Sequence, residues 1–301
     1  MSDEDYDQFA DVIGSAMSVA VDESIVLAKL ENYFHPQPAK LVEGENKELQ
    51  EIVDRLVQKL GGPPRVIILG NEDAKPKYDM YPSAAISEMI KVFYRARRSV
   101  TRAQMFLIGS SLLKDHPEYL NLSSDQEFTP LLQGNVTEVF WEHAETSYVR
   151  LASYWDRVGQ VLDFVFFGIR HFEREGFKAV IDRIHNNICP VHKEITKHNA
   201  WKELRNFQTN ETEKGLGWLL SRRNLIVHSL HLQPVKAHTG ENELFDSAYN
   251  HLDEKFKKKL KPGTPKEEIE KINVQLSIAA KLFHHVLSLI EYYLVNFKEK
   301  A

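Results

Sequence analysis

The stretch Ser221-Arg222-Arg223-Asn224-Leu225-Ile226-Val227-His228-Ser229-Leu230 places two arginines, an asparagine and a histidine around the apolar run Leu225-Ile226-Val227, in a segment of helical spacing. A guanidinium is costly to bury without partners, so the cluster needs an explanation. Imidazoles exchange protons near neutral pH, which suits His228 to general acid or base work. The planar, permanently charged guanidinium of Arg223 suits a phosphate and the negative charge that develops at phosphorus. Asn224 precedes His228 by four residues, so on a helix they share a face, where the amide could orient the imidazole or bind a phosphate oxygen. Arg223 and His228 are five apart, about 140° around a helix, and need not converge within one chain. Pairing across a two-fold axis would gather two of each in one cleft. Arg222 is open to two readings, a second phosphate contact or a solvent-facing charge. A different account removes catalysis altogether: Arg223 and His228 form a buried polar network with carboxylates such as Glu142, Glu145 or Asp156.

The elements that must position these residues follow from periodicity. Residues 135–168 carry an apolar stripe (Val136, Phe140, Ala144, Tyr148, Leu151, Trp155, Val158, Leu162, Val165) at three- and four-residue spacing, one face of a long helix. Asp163 falls out of phase with that stripe and is expected to face solvent. Shorter helices are predicted at 177–188, 199–208 and 215–230. A long connection over 231–268 precedes a last helix, 267–298, with a heptad-type seam from Ile269 to Phe297. Two long helices with one buried stripe each pack side by side, which predicts an up-and-down bundle over 134–298. Upstream, helices are predicted at 9–34, 46–60 and 83–113, broken by Pro36, Pro38 and Gly61-Gly62-Pro63-Pro64. Arg65-Val66-Ile67-Ile68-Leu69-Gly70 is the one strand-like run. The chain thus divides into a mostly helical N-terminal region, 1–130, and a bundle, 131–301.

Arg223-Asn224-x-x-x-His228, set late in a bundle and before its closing helix, resembles the signature of the HEPN superfamily of helical bundles. The bare arginine–histidine spacing carries little weight. With asparagine required after arginine, chance supplies about 0.03 matches in such a chain. The resemblance implies an all-α, HEPN-like four-helix bundle with a helical N-terminal extension. It implies a metal-independent endoribonuclease in which Arg223, Asn224 and His228 form a composite site between two protomers, with Arg222 as a further phosphate contact. RNA, a second copy of the chain and an antitoxin are the partners it suggests, in a defence or toxin–antitoxin setting. The alternative within the superfamily is a non-catalytic nucleotide- or protein-binding module.

The rest of the sequence narrows the field. Of 301 residues, 43% are hydrophobic and 27% charged, which excludes wholesale disorder, a collagen-like chain and a membrane-spanning bundle. The net charge of -5 means that any nucleic-acid contact must come from a local patch. One such patch is Arg95, Arg98 and Arg102 on one helix face with Arg97 beside them; another is the lysine run 255–261. Both could instead be solvated charged faces. The lone Cys189 rules out a disulfide framework, and the histidines lack zinc-site spacing, so neither metal nor cofactor is expected. The acidic start MSDEDYDQF has no signal-peptide pattern, and Val161–Ile169 is too short to cross a bilayer. A soluble cytoplasmic protein is therefore expected.

Overall fold

A computed structural model describes residues 3–35, 47–61, 80–116, 128–170, 176–228, 247, 253–254, 257 and 261–298. The protein is all-α, and no strand occurs among the described residues. The strand-like run 65–70 and most of the 231–260 connection, lysine run included, lie outside them. The helices are α1 (Asp3–Phe34), α2 (Lys47–Gly61), α3 (Tyr81–Asp115), α4 (Phe128–Phe167), α5 (Phe177–Arg183), α6 (Asn199–Thr209), α7 (Leu216–His228) and α8 (Pro265–Tyr293).

Local chemistry explains their ends. Gly168 adopts φ 70 just past α4, a left-handed conformation that costs glycine nothing, and its amide donates to the Phe164 carbonyl at 2.9 Å. At α8, Thr264 and Glu267 form a reciprocal capping box, and Pro265 fills the first turn, where its missing N–H costs nothing.

Side-chain contacts fix the directions of the helices. Phe93 meets Tyr154, and Phe106 stacks on His143, so α3 and α4 run antiparallel. Tyr148 bonds Glu268 and Phe166 packs on Tyr293, so α8 runs with α4. Lys281 pairs with Glu203, and His198 stacks on Tyr292, so α6 opposes α8. Gln275 donates to the Glu213 and Gly215 carbonyls while Arg222 reaches Glu268, so α7 opposes α8 as well. Thus α6 and α7 lie end to end along the two halves of α8.

One continuous core joins α2 to α8, from Leu56 through Trp155 to Leu294. The expected division at residue 130 falls inside α4, and the core crosses it without a break. Trp155 is core, packed on Phe177 and Phe207 at ring separations of 4.9 and 4.4 Å. Asp163 corrects an expectation. It is buried rather than solvent-facing, because Arg183 donates to both its oxygens at 2.8 and 3.0 Å. By length and composition α8 could cross a membrane, but half of its most apolar stretch is buried in this core.

Candidate functional site

The helix that carries the motif, α7, has two dissimilar sides. Leu216, Trp218, Leu219, Arg222 and Leu225 face the core. Leu220, Arg223, Asn224, Val227 and His228 follow the i, i+3, i+4, i+7, i+8 pattern of a single stripe, partly or fully exposed. The three residues of the Arg-Asn-x3-His pattern therefore lie on one outward stripe. Arg223 and His228 sit on its flanks, and Leu220, Asn224 and Val227 lie between them.

Arg222 neither faces solvent nor is open to a phosphate. It is 1% exposed and donates from Nη2 to Glu268 Oε1 at 3.0 Å. Its guanidinium lies over the Tyr148 and Trp218 rings, 5.8 and 5.4 Å from their centroids. Glu268, itself fully buried, also accepts from Tyr148 Oη at 2.7 Å, the Gly263 amide at 2.9 Å and Lys271 Nζ at 3.2 Å. Burial alone would raise the Glu268 carboxyl. Arg222, Lys271 and these hydrogen bonds outweigh it and hold the group below its ordinary value. Burial, then Glu268, pushes the Tyr148 phenol well up, so it stays a donor.

The buried polar network foreseen for Arg223 and His228 is thus built on their neighbour, and its carboxylate comes from α8. Glu268 was missed in the sequence although a signal exists. It follows the Thr264-x-x-Glu267 helix start and is in phase with Ile272, Gln275 and Ala279. A carboxylate in a buried row asks for a buried cation.

Arg223 and Asn224 reach a cleft of about 540 Å³ between α4, α5 and α7. Its floor is apolar (Trp155, Phe177, Leu220), and its rim carries Asp156, Lys178 and Asp182. Arg223 Nη1 donates to Asn224 Oδ1 at 2.9 Å, so the two enter the cleft as a unit. Burial pushes the Asp156 carboxyl up against the pull of Arg223 and Arg157. A side chain at Gly176 would collide with Asp156 Oδ1, so glycine there leaves room for the carboxylate. Arg205 holds Asp182 and also donates to Gln208 Oε1 at 2.9 Å, fixing that wall from α6. His228 is not among the residues lining this cleft. Within one chain the structure bonds Arg223 to Asn224, sets both in the cleft that Asp156 also lines, and leaves His228 at the exposed end of α7.

The other candidates resolve into packing and pairing. His192 packs at a tilt on Phe297 at 4.2 Å and His198 stacks on Tyr292 at 4.4 Å; burial holds His198 below its ordinary value. Among the described residues, no three His, Cys, Asp or Glu side chains gather where they could share a metal ion. On α3, Arg98 and Arg102 pair with Glu31 and Glu23 of α1.

No protein-family model matches the chain, and neither any curated protein nor any solved structure shows significant similarity to it.

Proposed function

We propose that the chain is a HEPN-like bundle protein that cleaves RNA without a metal, at a composite site formed when two copies meet along α7. The observation that carries this reading is the outward stripe of α7. It presents Arg223, Asn224 and His228 together, while the adjacent arginine is turned into the core. Four elements of similar span, α3, α4, the end-to-end pair α6–α7, and α8, alternate in direction, which suits an up-and-down four-helix bundle. That bundle takes its first member from residues 81–115, upstream of the span the sequence suggested.

A two-fold axis through the stripe would seat Asn224 and Val227 near its centre and bring Arg223 of one copy towards the partner's His228. His228 takes the proton from an RNA 2′-hydroxyl, whose oxygen attacks the adjacent phosphorus. The 5′-oxygen leaves with a proton supplied by the second imidazole or by water, and a 2′,3′-cyclic phosphate remains. Arg223 stabilises the charge that builds on the non-bridging oxygens, and Asn224 holds it in place through their hydrogen bond.

The test is cleavage of an end-labelled RNA pool in EDTA, with gel filtration run alongside. Wild type is expected to elute as a dimer and to leave cyclic phosphate ends, and His228→Ala and Arg223→Ala to lose at least 100-fold in rate. Equal cleavage by His228→Ala would overturn the assignment. A second reading, a non-catalytic binding module, is favoured by one observation. The cleft beside Arg223 has an apolar floor, a charged rim and the volume of a small-molecule site, yet excludes His228.

A further inference from the structure

Helix α3 carries Lys91, Arg95, Arg98 and Arg102 at i, i+4, i+7 and i+11, a straight row about 16 Å long. Arg150 of α4 lies against its middle, donating to the Arg95 carbonyl at 3.0 Å and to Ser99 Oγ at 2.6 Å. Buried behind the row, Arg97 donates to Asn32 of α1 at 3.1 Å. Two carboxylates face this concentration of positive charge from α1. Glu31 accepts from Arg98 Nε at 3.1 Å, and Glu23 from Arg102 Nε at 2.9 Å. The arginines outnumber them and crowd one another. Burial first, then Arg102 and Arg95, push the Arg150 guanidinium down. Four cations in line with surplus charge match a linear polyanion better than one carboxylate per arginine does.

Over its described side chains, the helix that supplies those carboxylates buries little apolar surface. Among the described residues of α1, Leu27 is the only fully buried hydrophobic side chain. Met17, Val21 and Ile25 on its outer side are 59%, 55% and 53% exposed. Besides the Arg97–Asn32 bond, its ties to α3 include two ion pairs open to solvent on at least one side, which salt screens.

We propose that the arginine row of α3, with Arg150, binds the phosphate backbone of single-stranded RNA, the choice of RNA among polyanions resting on the function proposed above, and that α1 is an acidic strap that competes for the same guanidinium groups. Phosphates displace Glu23 from Arg102 and compete with Glu31 for Arg98, and α1 lifts from the row N-terminal to Leu27, while Leu27 and the end of the helix stay near their anchor. Binding here is sequence-independent and does not depend on cleavage at α7.

The test uses the full chain and a fluorescein-labelled 24-nucleotide RNA, 2′-O-methylated throughout so that it cannot be cut. Glu23→Gln/Glu31→Gln keeps shape and hydrogen bonding but removes the competing charge. It is expected to bind at least tenfold tighter than wild type in 50 mM salt. Adding Arg98→Ala/Arg102→Ala is expected to abolish that gain. In wild type, RNA is expected to speed hydrogen exchange in α1 and leave α4 and α8 unchanged. A gain that survives loss of the arginines overturns the proposal, as does an unaltered α1 exchange pattern with RNA bound. Tighter binding of polyglutamate than of the RNA overturns the ligand class. The wild-type exchange experiment stands even where a variant fails to fold. Because the probe has no free 2′-hydroxyl, its outcome is separate from that of the cleavage assay.

Discussion

Arg222 and the arginines of α3 face the same problem, a positive charge close to a helical core, and meet it in opposite ways. Arg222 is enclosed: one carboxylate, two aromatic faces and a backbone carbonyl surround it, and that carboxylate is itself satisfied by Tyr148, Gly263 and Lys271. Arg98 and Arg102 are tethered instead to α1, whose described side chains include one fully buried apolar residue, Leu27. In the first arrangement charge and fold are inseparable. In the second, the partner can be exchanged for another anion. The contrast teaches that a basic residue in an apolar pattern says little until its partner's anchoring is known.

Breaking the enclosed pair should give the largest effect. Glu268→Gln leaves Arg222 buried without its counter-charge and is expected to cost about 3–5 kcal/mol, read from urea unfolding. The paired replacement Arg222→Met/Glu268→Leu, which removes both charges, is expected to cost much less. A loss as large as that of Glu268→Gln would show that the donors Glu268 satisfies, Tyr148 and Gly263 among them, set the cost rather than charge balance.

The strap should show an intermediate effect that depends on pH. His35, at the end of α1, is buried beside Arg97, and burial followed by that charge lowers its pKa to about 4. A histidine with a folded pKa below its free value of 6.5 contributes fully above pH 6.5. The contribution is lost as pH falls towards 4. Docking of α1 is therefore expected to weaken between pH 6.5 and 4. Limited proteolysis within α1 at pH 7 and pH 5 checks this, and His35→Gln should flatten the difference.

Smaller still is the response of the surface pairs. Arg102→Ala should change global stability by about 0–1 kcal/mol, Arg98→Ala, which leaves the buried Glu31 unpaired, by somewhat more, about 1–3 kcal/mol, and 0.5 M NaCl should loosen α1 without touching the Arg222 centre. The smallest effect belongs to the α7 stripe. Arg223→Ala and His228→Ala should unfold within about 0.5 kcal/mol of wild type by thermal melt, so any change in RNA cleavage reports chemistry rather than folding.

Much of the fold was legible because its signal is periodic. The stripe of α4 from Val136 to Val165 and the seam of α8 from Ile269 onwards appear as helices of nearly the expected extent. Asp163 and Arg222 were not legible, for a shared reason. Each breaks an apolar pattern, and pattern alone cannot say that Arg183 or Glu268 waits across the core. The role of 81–115 as a full bundle member was hidden for another reason. Loop lengths do not reveal that Phe93 meets Tyr154 and Phe106 meets His143. At the candidate site, the motif residues and their i, i+4 relation could be read directly. The cleft beside Asp156 could not, because it depends on the approach of Gly176 in a different segment.

The Tyr148–Arg222–Glu268 centre has a consequence for the order in which the chain folds. Its members come from three helices, separated by 120 and 46 residues along the chain. Half of it is worse than none, since a desolvated guanidinium without its carboxylate is uphill. The centre is therefore expected to close late, after α3 and α4 have paired. Substitutions there should carry φ values near zero, leaving the refolding rate almost unchanged and quickening unfolding. What the centre sets is the lifetime of the finished bundle, a latch that governs how long the native state persists and not how quickly it is found.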